Sequence, residues 1–114
     1  SKTIAKMSEV FGSKPEDMYA AIGPAICGSC YEVGQDVVEA FLKNNMPADG
    51  RVLHKRNGTT LLNMEWAAEE LLTMAHIPRK QIDVMKLCTF ETPELASYRR
   101  DKTETRQVSF VCLT

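Results

Sequence analysis

Residues 51–75, RVLHKRNGTTLLNMEWAAEELLTMA, decide the fold class. Asn57–Gly58 is the strongest dipeptide signal for a tight hairpin, because both residues tolerate the positive φ that a two-residue turn demands. It separates 51–56, which can be extended, from a return strand over 59–62. Met64, Ala67, Ala68, Leu71, Leu72 and Ala75 then recur at helical spacing, a stripe three turns long on an amphipathic helix. Asn63 suits its N-cap, and Pro78 stops extension beyond His76. A hairpin that runs directly into a helix breaks strict βαβ alternation. The pattern therefore predicts an α+β (mixed α/β) fold, a mixed sheet flanked by helices.

The flanking segments agree. Upstream, Ile4, Met7, Val10 and Phe11 share one helical side, and Gly12 stands where a helix-ending residue of positive φ is wanted. The apolar run Met18–Ile22, bounded by Pro15 and Gly23–Pro24, reads as a buried strand. Val37, Val38, Phe41 and Leu42 mark a second amphipathic helix after Gly34. Downstream, residues 82–89 (IDVMKLCT) and the alternating stretch 106–113 read as two further strands.

Composition excludes several function classes. The chain has 114 residues, 44% of them apolar, with 14 basic and 15 acidic side chains and a formal charge of −1. That length suits one domain, 1–114, or part of one, able to bury roughly 65% of its unfolded surface. Near-neutral charge argues against a general nucleic-acid or membrane-surface binder. No apolar run is long enough to span a bilayer, and no signal-peptide core is visible. Four cysteines in that setting are expected to be reduced thiols of a cytoplasmic protein.

Two motifs could carry chemistry. Cys27–Gly28–Ser29–Cys30, read as following a strand and preceding a helix, has thiol–disulfide logic: a helix N-terminus lowers the first thiol's pKa and the second resolves a mixed disulfide. A zinc reading of this pair needs two more ligands. Cys88 and Cys112 lie in apolar stretches and read as core thiols, and His54 and His76 are isolated, so no metal ligands are assigned. The second motif is Ser97–Tyr98–Arg99–Arg100–Asp101 with Arg106 behind it, three guanidinium groups within eight residues. Such forks grip phosphate or carboxylate, as in an anion-binding interaction module; the plainer account pairs them with Asp101, Glu104 and Glu91. No nucleophile–base constellation or glycine-rich phosphate loop is present, and no catalytic residue is assigned.

Taken together, Ala21–Ile22–Gly23–Pro24–Ala25–Ile26, Cys30–Tyr31–Glu32–Val33–Gly34, Leu87–Cys88–Thr89 and Ser97–Tyr98–Arg99–Arg100–Asp101 resemble the laccase-domain family, also called polyphenol oxidase-like, peptidoglycan editing factor-like or purine nucleoside phosphorylase-like. Full members are about twice this length, so the resemblance implies the C-terminal portion of a larger α-β-α layered fold. It implies phosphorolysis of purine nucleosides and deamination of adenosine, under an older label of polyphenol oxidoreductase. The implied cofactor is zinc (copper in older descriptions), held by two His and one Cys in the N-terminal half, so none is expected on this chain alone. The implied partners are purine nucleosides and phosphate. Arg99 and Arg100 are the candidate substrate-side residues, with Tyr98 and Glu32 beside them. A half-fold leaves sheet edges and apolar surface bare, so a companion N-terminal half or self-association is expected.

Overall fold

The computed structural model describes residues 2–112. The elements run α1 (Lys2–Phe11), β1 (Ala20–Ile22), β2 (Glu32–Val33), α2 (Gln35–Lys43), β3 (Leu53–Arg56), β4 (Thr59–Leu62), α3 (Met64–Met74), β5 (Ile82–Val84) and α4 (Tyr98–Asp101). The fold is α+β, and its strands are divided between two small sheets. One is the parallel pair β1–β5; the other is antiparallel, in the order β2-β4-β3.

The hairpin forms as the dipeptide predicts. Asn57 and Gly58 take φ values of +51° and +80°, and Arg56 pairs with Thr59 directly across the turn. Glu32–Val33 adds to the other edge of β4, opposite Leu61 and Thr60. As the central strand, β4 is the best shielded: Leu61 and Leu62 are buried, and Leu62 joins Val52 and Ala67 in the core cluster. Tyr31, Val33, Val37, Phe41, Leu53 and Trp66 pack around that cluster. Burying each such aliphatic side chain contributes ~1.5–3 kcal/mol.

The Asn63 side chain accepts from the Trp66 amide across 3.1 Å, capping α3 as its sequence position predicts. The helix packs against β1 and β5, while its Ala67 and Trp66 join the cluster around Leu62 of β4, so it links the two sheets. Its Trp66 ring carries two guanidinium groups, with Arg51 4.7 Å and Arg79 5.5 Å from the ring centroid.

Three sequence expectations are corrected. The strand expected over Met18–Ile22 starts only at Ala20, after a 3-10 turn at Pro15–Asp17. The strand expected over 82–89 ends at Val84, opposite Ile22, and Pro24 in the partner segment has no N–H to donate to a continued ladder. Pairing resumes at a single parallel bridge, Ala25 with Cys88. The strand expected over 106–113 is not formed among the described residues, and Leu113 lies outside them. Alternation there has no partner strand to exploit: Val108, Phe110 and Val111 are 86–90% exposed, and Cys112 is an exposed thiol rather than a core one.

The described surface is large for the mass. The chain exposes 8250 Å², whereas a folded monomer of 12.8 kDa exposes ~6,300 Å². The radius of gyration, 15.6 Å, likewise exceeds the ~13 Å of a compact domain this long.

Candidate functional site

Two chain segments meet beyond the end of the parallel sheet. One is the turn 27–30 leading into β2; the other runs from Cys88 to α4. Their anchor is the Ala25–Cys88 bridge, reinforced by the Thr89 amide donating to the Ala25 carbonyl across 3.1 Å.

In the first segment the amides of Cys30 and Tyr31 both donate to the Cys27 carbonyl, at 3.0 and 3.1 Å, closing a tight turn. Gly28 is buried in it, and a Cβ at that position would lie 2.8 Å from the Asn63 side chain. Glycine is therefore needed where the turn presses on the cap of α3. Ser29 sits at the exposed tip, its carbonyl accepting from the Arg56 guanidinium across 3.0 Å. In the second segment the Thr92 amide donates to the Cys88 carbonyl across 2.9 Å, a turn that brings Glu91 alongside Cys88.

The result is a group the sequence spacing does not reveal. One ligand atom from each of Cys27, Cys30, Cys88 and Glu91 lies within 4.8 Å of all the others. The Cys27 amide donates to Cys88 Sγ at 3.3 Å, and Cys27 Sγ lies 3.0 Å from Ser29 Oγ and 3.9 Å from Glu91 Oε2. Cys88 and Glu91, which no local spacing links to the Cys27–Cys30 pair, lie 61 and 64 residues from Cys27 and arrive through the parallel pairing. Burial and the neighbouring Cys27 sulfur push the Cys30 thiol up to about 12. Burial also raises Cys27, but hydrogen bonds from Ser29, Cys30 and Cys88 outweigh it and bring that thiol below its ordinary value. The turn leads into β2 rather than a helix, so the helix N-terminus assumed for thiol–disulfide chemistry is not there.

The arginine motif divides by direction. Ser97 is buried and caps α4, its Oγ accepting from the Arg100 amide at 3.4 Å. Consecutive residues of a helix point about 100° apart, so Arg99 and Arg100 face different surroundings. The Arg100 guanidinium turns into the 89–95 loop and donates to the carbonyls of Thr89 (2.7 Å), Phe90 (3.2 Å), Thr92 (2.9 Å), Pro93 (3.4 Å) and Leu95 (2.7 Å). It also forms a fork with Asp101, two contacts of 2.8 Å each. Its five N–H groups are all engaged. Arg100 is a positioning residue for this loop.

Arg99 is exposed. It donates once, to the Glu32 carbonyl at 3.1 Å, and lies 5.2 Å over the Tyr31 ring. Glu32 meets Arg99 through its backbone, and its side chain is exposed. Tyr98 is 59% exposed, with Lys102 and Arg106 over its ring at 5.7 and 6.0 Å. Tyr31, the platform under Arg99, is the residue sequence reasoning undervalued; its only signal was its place in the Cys30–Gly34 motif.

The profile of the family described as multi-copper polyphenol oxidoreductase laccase matches residues 1–114. The chain belongs to that family. Among its relatives, a purine nucleoside phosphorylase of Aquifex aeolicus is 35% identical over 113 residues, covering 99% of this chain and 48% of that protein. An adenosine deaminase, RL5, from an unknown prokaryotic organism is 32% identical over 79 residues, 68% of this chain and 30% of its own length. The crystal structure of the Bacillus licheniformis protein YfiH superposes with a TM-score of 0.77 at 30% identity, over 89% of this chain and 39% of that one. The chain thus spans about half the length of the curated relatives it matches, or less.

Proposed function

We propose that this chain supplies the substrate-side wall of a purine nucleoside phosphorylase that also deaminates adenosine, as the C-terminal portion of a longer laccase-family fold acting in the cytoplasm. The observation that carries the reading is the state of Arg99. It is a guanidinium with one donor spent on the Glu32 carbonyl, stacked on Tyr31 and open to solvent, in a chain whose relatives bear these enzyme names. Phosphorolysis places a phosphate dianion against the ribose carbon as the purine leaves, and a planar fork of free donors suits that anion. Tyr31 fixes the plane of the fork, and the loop held by Arg100 fixes the position of α4. Neighbouring Tyr98 is 59% exposed, and a base stacking on its ring would share it with Lys102 and Arg106.

The zinc that the family resemblance implies is held by two His and one Cys. The described residues do not fit that set: their one group of potential ligands contains neither His54 nor His76. Our reading leaves the catalytic metal to the remainder of the longer fold, and no step is derived through it. The large exposed surface supports a covering partner, either that portion or a second copy.

The test is turnover by the whole gene product. Incubated with inosine and phosphate it should release hypoxanthine and ribose 1-phosphate, and with adenosine it should release ammonia. Absence of both activities from a folded, metal-replete protein would contradict the proposal.

A further inference from the structure

We infer that Cys27, Cys30, Cys88 and Glu91 form a second metal centre, a closed four-ligand structural site for a zinc-class divalent ion that staples the 27–30 turn to the 88–91 turn. The two turns are built alike. Each offers ligand atoms at positions i and i+3, and in each the amide of residue i+4 (Tyr31, Thr92) donates to the carbonyl of the first (Cys27, Cys88). The Ala25–Cys88 bridge sets them face to face. A tetrahedral zinc with Zn–S bonds of ~2.3 Å holds its sulfurs ~3.8 Å apart. Ligand atoms already within 4.8 Å of one another need shifts of only ~1 Å to close on the ion.

The donor set selects the ion. Three soft sulfurs disfavour magnesium and calcium, while the carboxylate oxygen suits zinc better than copper(I). Four protein ligands leave no open position, which marks a structural site rather than a catalytic one. Outer-sphere support is present as well. The Cys27 amide donates to Cys88 Sγ, and Ser29 Oγ lies against Cys27 Sγ. Loading transfers one proton from each thiol to solvent and leaves three thiolates and a carboxylate around the divalent cation. The resulting negative charge faces two segments that carry guanidinium groups: Arg56 on the Ser29 carbonyl, and Arg100 on the carbonyls of Thr89, Phe90 and Thr92. Packing of thiols as small hydrophobes does not explain a carboxylate among them. The inference is independent of the nucleoside reading, since it concerns how two turns are held together.

The test is titration of the reduced 114-residue chain with Co2+ and then Zn2+ in deoxygenated buffer. The expected result is one equivalent bound, with a near-ultraviolet thiolate-to-cobalt charge-transfer band and intense tetrahedral d–d bands that zinc abolishes. Cys88→Ser should weaken binding at least ~10-fold, and Cys112→Ser should leave it unchanged. Alkylation of the unmutated chain keeps the test valid if Cys88→Ser does not fold: zinc should shield Cys27, Cys30 and Cys88 and leave Cys112 reactive. Absence of the charge-transfer band, equal alkylation of all four thiols, or a Cys27–Cys30 disulfide that persists under reductant would overturn the site.

Discussion

The Arg100 guanidinium lies 2.7 Å from the carbonyl oxygen of Leu95, the far end of a loop that the same side chain also holds at Thr89, Phe90, Thr92 and Pro93. One cation thereby replaces a strand ladder for a segment that has none. Its neighbour Arg99 faces outward, over Tyr31. Two adjacent residues of one type thus face different surroundings.

Replacing Arg100 by Lys keeps the charge but removes the fork that reaches several carbonyls at once. Arg100→Lys should lower the midpoint of thermal unfolding, whereas Arg99→Lys should leave it near the parent value. Circular dichroism melts of the two variants check this; equal midpoints would mean that the loop is held by other contacts.

The hairpin offers a local test. Gly58 has φ of +80°, where a side chain strains the backbone, and no other atom would meet an added Cβ. Gly58→Ala should therefore cost ~1–2 kcal/mol through conformation alone. In the core, Leu62→Ala removes a buried side chain beside Val52 and Ala67 and should cost ~2–5 kcal/mol. Urea unfolding of both variants gives the two values, and the core change should be the larger.

The hairpin turn and α3 also show what is legible in the sequence. Asn57–Gly58 and the stripe from Met64 are local signals whose meaning depends on neighbours a few residues away, and both were read correctly. Over the described part of the 106–113 stretch, residues 106–112, no strand forms, because alternation marks a strand only when another strand is there to pair with it. The Cys27, Cys30, Cys88 and Glu91 cluster was invisible for a related reason. Its halves are brought together by a parallel pairing, which no local pattern specifies. Arg99 and Arg100 stand out as a motif, but their different surroundings follow from side-chain directions that sequence does not encode.

Acid should loosen the fold in a defined sense. Hydrogen bonds from Arg51 hold the Asp49 carboxyl below its ordinary value, and those from Arg100 do the same for Asp101. A depressed folded-state pKa stabilises the fold at pH above the ordinary carboxylate value of ~3.9, and that stabilisation is lost as pH falls through the folded value. Urea midpoints should therefore decline below about pH 4, and Asp101→Asn should flatten part of that decline. A double variant, Asp49→Asn with Asp101→Asn, whose acid dependence matches the parent would remove these pairs as the cause.

The central claim is that Arg99 grips the phosphate. The most direct measurement is the KM for phosphate during inosine phosphorolysis by the whole gene product, with and without Arg99→Ala. A charge-assisted contact of ~1.5–3 kcal/mol predicts a KM raised roughly 10- to 100-fold in the variant, with the thermal midpoint unchanged. A phosphate KM unaffected by the substitution would contradict the account.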